Sequence, residues 1–487
     1  MKEYPLNNLH KYFKDNLHVI IMKRVLLFEP GARFTIYPPI GLMHLASAIR
    51  GKYNVRIKDY SGKELNESEI ENCIRKFNPF VVGVRVLTGP VIPRALLISK
   101  IAKKLGKPVI WGGPHPTILP EQTLENENID AVCIGEGEYT IQDILNYFEG
   151  KTEKVLGAGI KKDGKIILFP PQKKFVDFKK LPLPSWDLLD NVDRYFPDQN
   201  NSLPICTTRG CAFNCGFCHN SNKNVKQFLG CYRIAEPQRA IEELKFVQKL
   251  TKKKINSLDM GEDLHLISPG YAKKFCEAVK NSGIKNLKWN TSTRYSMINE
   301  EIVDLIAKHN CKKILLGIES GSKRIQMMNG KVVELDRAIK IAKRLQHHGI
   351  FVTNAYIFGH PTETIDELKK TLEYIKKIPA DENLIQAYRP MPGTPYFDLC
   401  LKEGKIDKVP KKLEEWSGFG VLGEDINVSR IPTNTLFSTF YRINLIQQIK
   451  FVLNQQKYFL RERMYKKFLE NTINNRFTFK LREYLIS

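Results

Sequence analysis

Residues 23–150 alternate short apolar runs with segments in which apolar side chains recur every three or four positions. Apolar runs of this length predict buried strands, and the 3–4 spacing predicts helices that pack on them. Regular alternation of the two is typical of a doubly wound parallel sheet, so we expect an N-terminal α/β domain. The predicted strands are Lys23–Phe28, Val55–Asp59, Val81–Arg85, Val109–Trp111 and Ala131–Ile134.

A second alternating pattern runs from residue 203 to residue 395, with helical segments such as Gln238–Leu250 and Asp336–His348 between the apolar runs. Six strand–helix repeats predict a partial (β/α)6 barrel of the TIM type. The loops that follow the strands of such a barrel gather at one face and carry its chemistry. The predicted strands are Leu203–Thr207, Ile255–Met260, Leu287–Ser292, Lys313–Ile318, Phe351–Phe358 and Leu384–Tyr388.

The segments that flank these two patterns are less regular. Residues 1–22 are weakly patterned and predict a leader, and Met22 offers an alternative start of translation. Between the domains we predict a linker that holds a small hairpin from Val155 to Phe169 and then a proline-rich connector. The predicted divisions of the chain are residues 1–22, 23–150, 151–200, 201–399 and 400–487.

The C-terminal region, residues 400–487, loses the alternation, and from Leu436 onward it predicts two or three basic amphipathic helices. The whole chain has a formal net charge of +24. Such a charge can attract nucleic acid, an anionic lipid surface or an acidic protein. Lysines that solvate helix faces explain it more simply, and no compact nucleic-acid motif occurs, so we disfavour nucleic acid. We prefer a helical cap that closes the open barrel; substrate docking and contact with a membrane surface are the alternatives.

Cysteine usage and hydropathy bear on the compartment. The chain has ten cysteines, of which three lie in one loop and the others are scattered without a framework. Scattered free thiols are typical of a reducing compartment. The N-terminus lacks the apolar region of a signal peptide, and no stretch has the length of a spanning helix. We therefore expect a cytoplasmic protein, with membrane association through the basic C-terminal region as a further option.

The strongest chemical signal is the loop after the first barrel strand, in which Cys211, Cys215 and Cys218 follow a C-x3-C-x2-C spacing. Three thiolates on a short loop can bind three irons of a 4Fe–4S cluster and leave the fourth iron without a protein ligand, whereas four-cysteine sites close every iron. The alternative is a structural zinc knuckle. Zinc sites usually carry a second pair of cysteines or histidines, and His219 alone is a poor substitute.

This loop, with the aromatic Phe217 before its last cysteine, resembles the radical S-adenosylmethionine (SAM) superfamily. The resemblance implies that SAM chelates the free iron and is cleaved reductively to a 5′-deoxyadenosyl radical, with electrons from an external flavodoxin or ferredoxin-like donor. It also implies that Arg294 pairs with the SAM carboxylate and that Glu319 accepts from the amino group or the ribose hydroxyls. The remaining implied SAM contacts are Ser320 and Ser322.

The loop after the fifth barrel strand, Gly359–Thr364, departs from the family pattern, which more often has glycine where Thr362 stands. His360 in the same loop is also unusual. The fifth and sixth predicted barrel strands, with the residue after the sixth, offer candidates for the substrate side of the site. These are Tyr356, Tyr388 and Arg389.

The N-terminal pattern, with glycine-rich turns after three of its strands, is similar to the Rossmann-like cobalamin-binding domain that precedes the barrel in one class of these enzymes. The resemblance implies that a corrin ring and its nucleotide tail bind beyond the carboxyl ends of the strands. No D-x-H-x-x-G motif is present, so we expect no histidine from this motif below the cobalt. The implied cobalamin contacts are Pro39, Ile40, Gly41, Thr88, Gly112, Gly113, Gly135, Glu136 and Gly137.

A radical-forming cluster and methylcobalamin in one chain imply methylation of an unactivated carbon, in a small-molecule, lipid or peptide substrate. A ring-forming or rearranging enzyme could use the same parts, and a non-catalytic cobalamin sensor is an alternative from another class. Methylthiolation of tRNA is disfavoured, because the N-terminal domain lacks the three clustered cysteines that a second cluster would need.

Overall fold

The structure, a computed structural model, describes residues 22–32, 36–172, 174–197, 202–229, 232–261, 264–266, 268–407, 409–420 and 426–458. Residues 1–21 of the predicted leader and residues 459–487 of the predicted C-terminal helices lie outside the described residues.

The N-terminal part of the chain forms one mixed sheet. Its strands are β1 (Arg24–Glu29), β2 (Asn54–Asp59), β3 (Val81–Arg85), β4 (Val109–Gly112), β5 (Ala131–Cys133), β6 (Ala158–Lys162) and β7 (Lys165–Leu168). Their spatial order is β2-β1-β3-β4-β5-β6-β7, and β1 to β5 pair in parallel. Its helices are α1 (Ile40–Ile49), α2 (Glu67–Phe77), α3 (Val91–Lys104), α4 (Pro114–Ile118), α5 (Pro120–Glu125) and α6 (Gly137–Phe148).

Helices cover both faces of the parallel part of this sheet. Along β1, Val25 and Leu27 belong to one buried apolar cluster, which also includes side chains of α1 and α6. Leu26 and Phe28 point the other way, into a cluster with side chains of α2 and α3. A strand that is buried on both faces must be apolar throughout, which explains the continuous run in the sequence. The predicted doubly wound sheet is confirmed.

The segment between the two domains is packed onto both of them. The predicted hairpin forms, and its strand β6 pairs antiparallel with β5, so the sheet continues past residue 150. In the connector, Leu189 forms a bridge to Ile57 of β2. Trp186 is fully buried, and its Nε1 donates to Glu243 Oε1 at 2.8 Å. The connector therefore fixes the domains to each other.

The second domain is an open barrel. Its strands and the short ribbon beside it are β8 (Ser202–Ile205), β9 (Thr208–Arg209), β10 (Arg233–Ile234), β11 (Ser257–Met260), β12 (Lys288–Arg294), β13 (Cys311–Glu319), β14 (Phe351–Phe358) and β15 (Glu382–Ala387). Six of them form an all-parallel sheet in the order β8-β11-β12-β13-β14-β15, whereas β9 and β10 pair with each other. All six predicted barrel strands are confirmed, and β14 has the predicted bounds.

The helices of this domain alternate with its strands, as a partial (β/α)6 barrel requires. They are α7 (Lys223–Leu229), α8 (Gln238–Thr251), α9 (Pro269–Lys280), α10 (Glu300–Lys308), α11 (Lys323–Met328), α12 (Leu335–His347), α13 (Ile365–Lys377) and α14 (Pro395–Lys402). The cluster loop leaves the carboxyl end of β8, and Arg294 and Glu319 end β12 and β13. All three features are therefore at one face of the barrel.

The C-terminal region contributes one described helix, α15 (Thr433–Tyr458), which packs against the edge strand β15. Asn383 of β15 donates from Nδ2 to Gln447 Oε1 at 3.1 Å, and Phe437 and Tyr441 are buried in the barrel core. The prediction of a helical cap on the open barrel is confirmed for this helix. In the described part of the chain, we find no helix with the length and apolar character needed to cross a membrane.

Candidate active site

A cavity of about 590 Å³ opens where the carboxyl ends of the N-terminal strands face the barrel. The N-terminal domain contributes the predicted residues Pro39, Ile40, Gly41, Gly112, Gly113, Gly135, Glu136 and Gly137 to its wall. The barrel contributes Cys206, Thr208, Arg209, Gly210, Arg233 and Gly261. The cavity therefore reaches from the predicted cobalamin turns to the residue next to Cys211.

The cavity continues as an apolar slot between the N-terminal sheet and the helices α1 and α6. Leu27, Gly83 and Ile110 line it from the strands, and Leu45 and Ile141 line it from the helices. A Cβ on Gly83 would lie 2.7 Å from Leu27 Cδ2, so this glycine keeps the slot free of a side chain. Glycine turns together with an apolar slot fit a large cofactor with an extended tail, as cobalamin is.

One predicted cobalamin contact lies elsewhere. Thr88 is buried but does not line the cavity, and its Oγ1 is 3.0 Å from His115 Nδ1. Arg85 and Leu87 of the same loop do line the cavity. The backbone of Thr88 packs closely against Gly420, where a Cβ would lie 2.6 Å from the Thr88 carbonyl oxygen.

The cluster loop is held against the barrel at Gly216. The backbone N–H of Tyr396 donates to Gly216 O at 3.0 Å, and a Cβ on Gly216 would lie 2.6 Å from the Tyr396 ring. The ring of Phe217 packs against Tyr396 and His360, with centroid distances of 6.5 and 6.4 Å. Close packing of this kind explains why glycine and an aromatic residue stand between the last two cysteines.

The three cysteines of this loop are partly exposed and unbridged. Among the residues described, no three His, Cys, Asp or Glu side chains converge as the ligands of a single metal ion do. A 4Fe–4S cluster binds each thiolate through a different iron, so its ligands need not meet at one point. Cys211, Cys215 and Cys218 stay the predicted cluster ligands on the chemistry of their spacing.

Positive charge surrounds the middle cysteine of the loop. Burial raises the pKa of the Cys215 thiol, and the charges of Lys331 and Arg294 oppose this rise. Arg294 donates from Nη2 to Gly330 O at 2.9 Å, and its Cζ lies 3.8 Å from the ring centroid of Phe213. Its Nε and Nη1 are buried and find no hydrogen-bond partner among the described residues. Nε and Nη1 lie on different edges of the guanidinium, so each can donate a single charge-assisted hydrogen bond to an anionic ligand, and the SAM carboxylate stays its predicted partner.

Glu319 has two features of a functional residue. Its φ of 69° lies in the left-handed region, which is costly for a residue with a side chain. Its Oε1 accepts from Lys331 Nζ at 2.6 Å, and both side chains are about nine-tenths buried. Lys331 escaped the sequence analysis, because nothing in the local sequence relates it to Glu319.

The two predicted serine contacts of SAM already have protein partners. Ser320 Oγ lies 3.1 Å from Thr371 Oγ1, and Ser322 Oγ donates to Glu367 Oε1 at 2.9 Å. Ser322 is also the N-cap of α11, where it accepts from the N–H of Ile325. Both hydroxyls thus stabilise the loop after β13, and direct SAM contacts from them stay predictions.

In the loop after β14, the backbone conformation at position 362 explains why the family pattern has glycine at this position. Thr362 has a φ of 63°, a conformation that glycine adopts with little strain. Arg324 holds it in place by donating to Thr362 Oγ1 at 3.1 Å and to its carbonyl at 3.0 Å. Tyr356 and Tyr388, two of the candidates for the substrate side, are buried.

The Glu136 carboxylate, which we predicted to contact the cobalamin tail, is bound by two arginines of the barrel. Its Oε1 accepts from Arg209 and Arg233 at 2.8 Å each. Glu138 accepts from Arg209 Nη2 at 2.6 Å. Burial lowers the pKa of Arg209, but the two carboxylates outweigh it and raise that pKa overall. The sequence analysis missed Glu138 and Arg209, because their partners are distant in the chain.

Comparison with known proteins agrees with this arrangement. The family model of the radical SAM superfamily matches residues 205–375, and that of the B12 binding domain matches residues 32–145. An uncharacterized methyltransferase of Pyrococcus horikoshii is 32% identical over an alignment of 392 residues, and the match covers 78% of this chain and 83% of the relative. This chain belongs to the radical SAM superfamily. The B12-binding domain places it in the cobalamin-dependent class, and the predicted fold and family are confirmed.

More distant relatives share the same plan. The cytidylyl-2-hydroxyethylphosphonate methyltransferase of Streptomyces wedmorensis is 23% identical and covers 79% of this chain and 83% of its own. The solved structure of the radical SAM methyltransferase TsrM from Kitasatospora setae with cobalamin and a 4Fe–4S cluster superposes with a TM-score of 0.67 at 17% identity. It covers 80% of this chain and 76% of that one, and shows the same fold.

The radical SAM enzyme defined in this way uses a 4Fe–4S cluster, SAM and cobalamin, as predicted. Most residues predicted to bind cobalamin line one cavity, and the predicted cluster loop lies beside it. Which side chains touch each cofactor is a prediction from the positions described above.

Proposed function

We propose that this radical SAM enzyme methylates an unactivated carbon of its substrate. When bound, the cluster and SAM supply a radical that abstracts hydrogen, and methylcobalamin supplies the methyl group. One observation carries the proposal: Gly210, the neighbour of Cys211, lines the same cavity as Gly112 and Gly135. A cluster loop that borders the predicted cobalamin cavity can bring both cofactors to one substrate atom in turn.

The chain's own residues have three tasks in this reaction. Arg294 offers two buried N–H groups that would orient SAM through its carboxylate. Glu319, fixed by Lys331, would receive the amino group or the ribose of SAM. The strand ends of the N-terminal domain and the barrel enclose the space between the cofactors, which limits the access of water to a radical.

The test uses reconstituted enzyme with SAM that carries a deuterated methyl group and extracts of a strain that lacks the enzyme. Those extracts should accumulate a compound that is one methylene lighter than its counterpart in the parent strain. We expect the enzyme to convert it to the deuteromethylated product, with equal amounts of 5′-deoxyadenosine and S-adenosylhomocysteine. Each of these comes from one of the two SAM molecules consumed.

A ring-forming or rearranging enzyme is the second candidate. The anaerobic magnesium-protoporphyrin IX monomethyl ester cyclase of Rubrivivax gelatinosus is 25% identical over 395 residues and covers 77% of this chain and 69% of its own. A ring-forming or rearranging reaction would produce 5′-deoxyadenosine without S-adenosylhomocysteine, and no deuterated methyl group would enter the product. A cobalamin sensor would release neither compound with any substrate.

The substrate and the electron donor are further parts of the proposal. We infer a small-molecule, lipid or peptide substrate. We also infer an external flavodoxin or ferredoxin-like electron donor, because the described chain contains only one candidate cluster loop and so offers no second cluster to deliver electrons. SAM cleavage should then depend on an added reduced flavodoxin. Cleavage at an equal rate without any reductant would contradict this part.

A further inference from the structure

The two ends of the cluster loop are joined by a short ribbon. Strands β9 and β10 pair antiparallel, and Arg209 lies directly opposite Arg233. Cys211 follows closely after Arg209, so the ribbon is the stem of the cluster loop. Two like charges directly opposite each other destabilise an antiparallel pair. The stem therefore requires negative charge from elsewhere in the protein.

Two glutamates of the N-terminal domain supply that charge. Glu136 receives both terminal nitrogens of Arg233, at 2.9 and 2.8 Å, and Arg209 bridges Glu136 and Glu138 at 2.8 and 2.6 Å. The side chains of both glutamates are at most 6% exposed and those of both arginines 18%. Buried, forked pairs of this kind are strong and geometrically specific.

The same glutamates belong to the turn that forms the cobalamin cavity. Gly135, Glu136 and Gly137 all line the cavity, and Glu136 is the N-cap residue of α6. Gly210, at the end of the stem, lines it from the opposite side. One continuous set of contacts thus runs from the cavity wall through the two glutamates to the stem of the cluster loop.

We propose that Glu136 and Glu138 are positioning residues that couple cobalamin binding to the cluster loop. A cofactor that orders the turn also holds the stem that presents Cys211, and a loaded cluster that orders the stem also holds the turn. By thermodynamic linkage the two effects are equal in free energy. The inference requires both cofactors but does not depend on which group the enzyme transfers.

The test measures the cobalamin dissociation constant of the full chain with and without its reconstituted cluster. In the wild type we expect the cluster to tighten cobalamin binding by about fivefold or more, the lower end of measured coupling. The double variant Glu136→Gln/Glu138→Gln keeps the shape of both side chains but removes their charges, and should bind cobalamin equally in both forms. The matched control is Arg50→Gln, which breaks the exposed pair with Asp187 outside the cavity and should keep the wild-type ratio.

Hydrogen exchange distinguishes coupling from a merely structural contact. Cobalamin should slow amide exchange in residues 206–215 of the wild type and have no such effect in the double variant Glu136→Gln/Glu138→Gln. If that variant fails to fold, Arg233→Lys keeps the charge but loses the fork, and should give an intermediate ratio. An unchanged ratio and an unchanged exchange pattern in the variants would overturn the proposal, and methyl transfer could still be intact.

Discussion

Lys331 Nζ lies 2.6 Å from Glu319 Oε1 at the carboxyl end of β13, with both side chains about nine-tenths buried. A Cβ on Gly317 would lie 2.2 Å from Lys331 Nζ and 2.5 Å from Glu319 Oε1, so a glycine makes room for the pair. The pair holds Glu319 in its left-handed conformation beside the cluster loop. It therefore connects barrel stability to the predicted SAM site.

Replacing Lys331 with Met should destabilise the protein strongly. The change leaves the Glu319 carboxylate buried without its counter-charge, and loss of one partner of a buried pair costs about 3 kcal/mol. Urea unfolding measures this loss. The control is Lys313→Met, whose pair with Glu382 is 40% and 26% exposed and should cost under about 1 kcal/mol. Equal losses in the two variants would show that the Lys331–Glu319 pair has no special role.

Cys215→Ala should abolish the visible absorbance of the cluster and the cleavage of SAM. Cobalamin should still bind, with the affinity of the cluster-free wild type, because Cys215 does not line the cavity. Cys276→Ala is the control, since this cysteine is buried in the barrel core away from the loop and should leave both activities intact. Cleavage of SAM by Cys215→Ala would refute the assignment of the cluster ligands.

Gly83→Val should weaken cobalamin binding and leave cluster loading unchanged. The new side chain would collide with Leu27 or enter the slot, and overpacking of this kind costs about 1–3 kcal/mol, which is about fivefold to 150-fold in affinity. A cobalamin titration measures the change. Gly51→Val is a matched control in the same domain, because a Cβ there meets no atom within 4 Å. Equal affinities for both variants would show that cobalamin does not use the slot.

Glu363→Gln should become more stable than the wild type as the pH rises. Burial raises the pKa of Glu363 to about 8 from its ordinary value of 4.5, although its carboxylate accepts from the N–H groups of Gly359 and His360. The unfolded chain loses this proton near pH 4.5 and the folded chain keeps it, so the wild type loses stability as the pH rises from about 4.5 to 8. The amide variant lacks this loss.

Urea unfolding of both proteins at several pH values between 5 and 8 measures the difference, which should grow by about 1.4 kcal/mol per pH unit. Glu373→Gln, at an exposed position of α13, should show no such trend. A constant difference between Glu363→Gln and the wild type across this range would mean that Glu363 is ionised in the folded protein.

The strands and the cluster loop could be predicted from the sequence, because each depends on residues that are close together in the chain. The apolar run of β1 predicts a strand that is buried on both faces, because a strand between two layers must be apolar throughout. The barrel strand β13 likewise has an apolar run, and its second half is almost wholly buried. The spacing of Cys211, Cys215 and Cys218 identifies the cluster loop, since ligands of one cluster on a short loop need a fixed spacing. Family, fold and cofactors followed from these local patterns.

Only the tertiary structure decided which side chains complete the site. Lys331 meets Glu319, and Arg209 and Arg233 meet Glu136, across turns and between domains, where no periodicity relates the partners. The sequence could not distinguish Thr88 from its neighbour Leu87, and in the structure Leu87 is the one that lines the cavity. Charge pairing and cavity lining depend on the direction of each side chain after folding, and a linear pattern specifies the strand but not that direction.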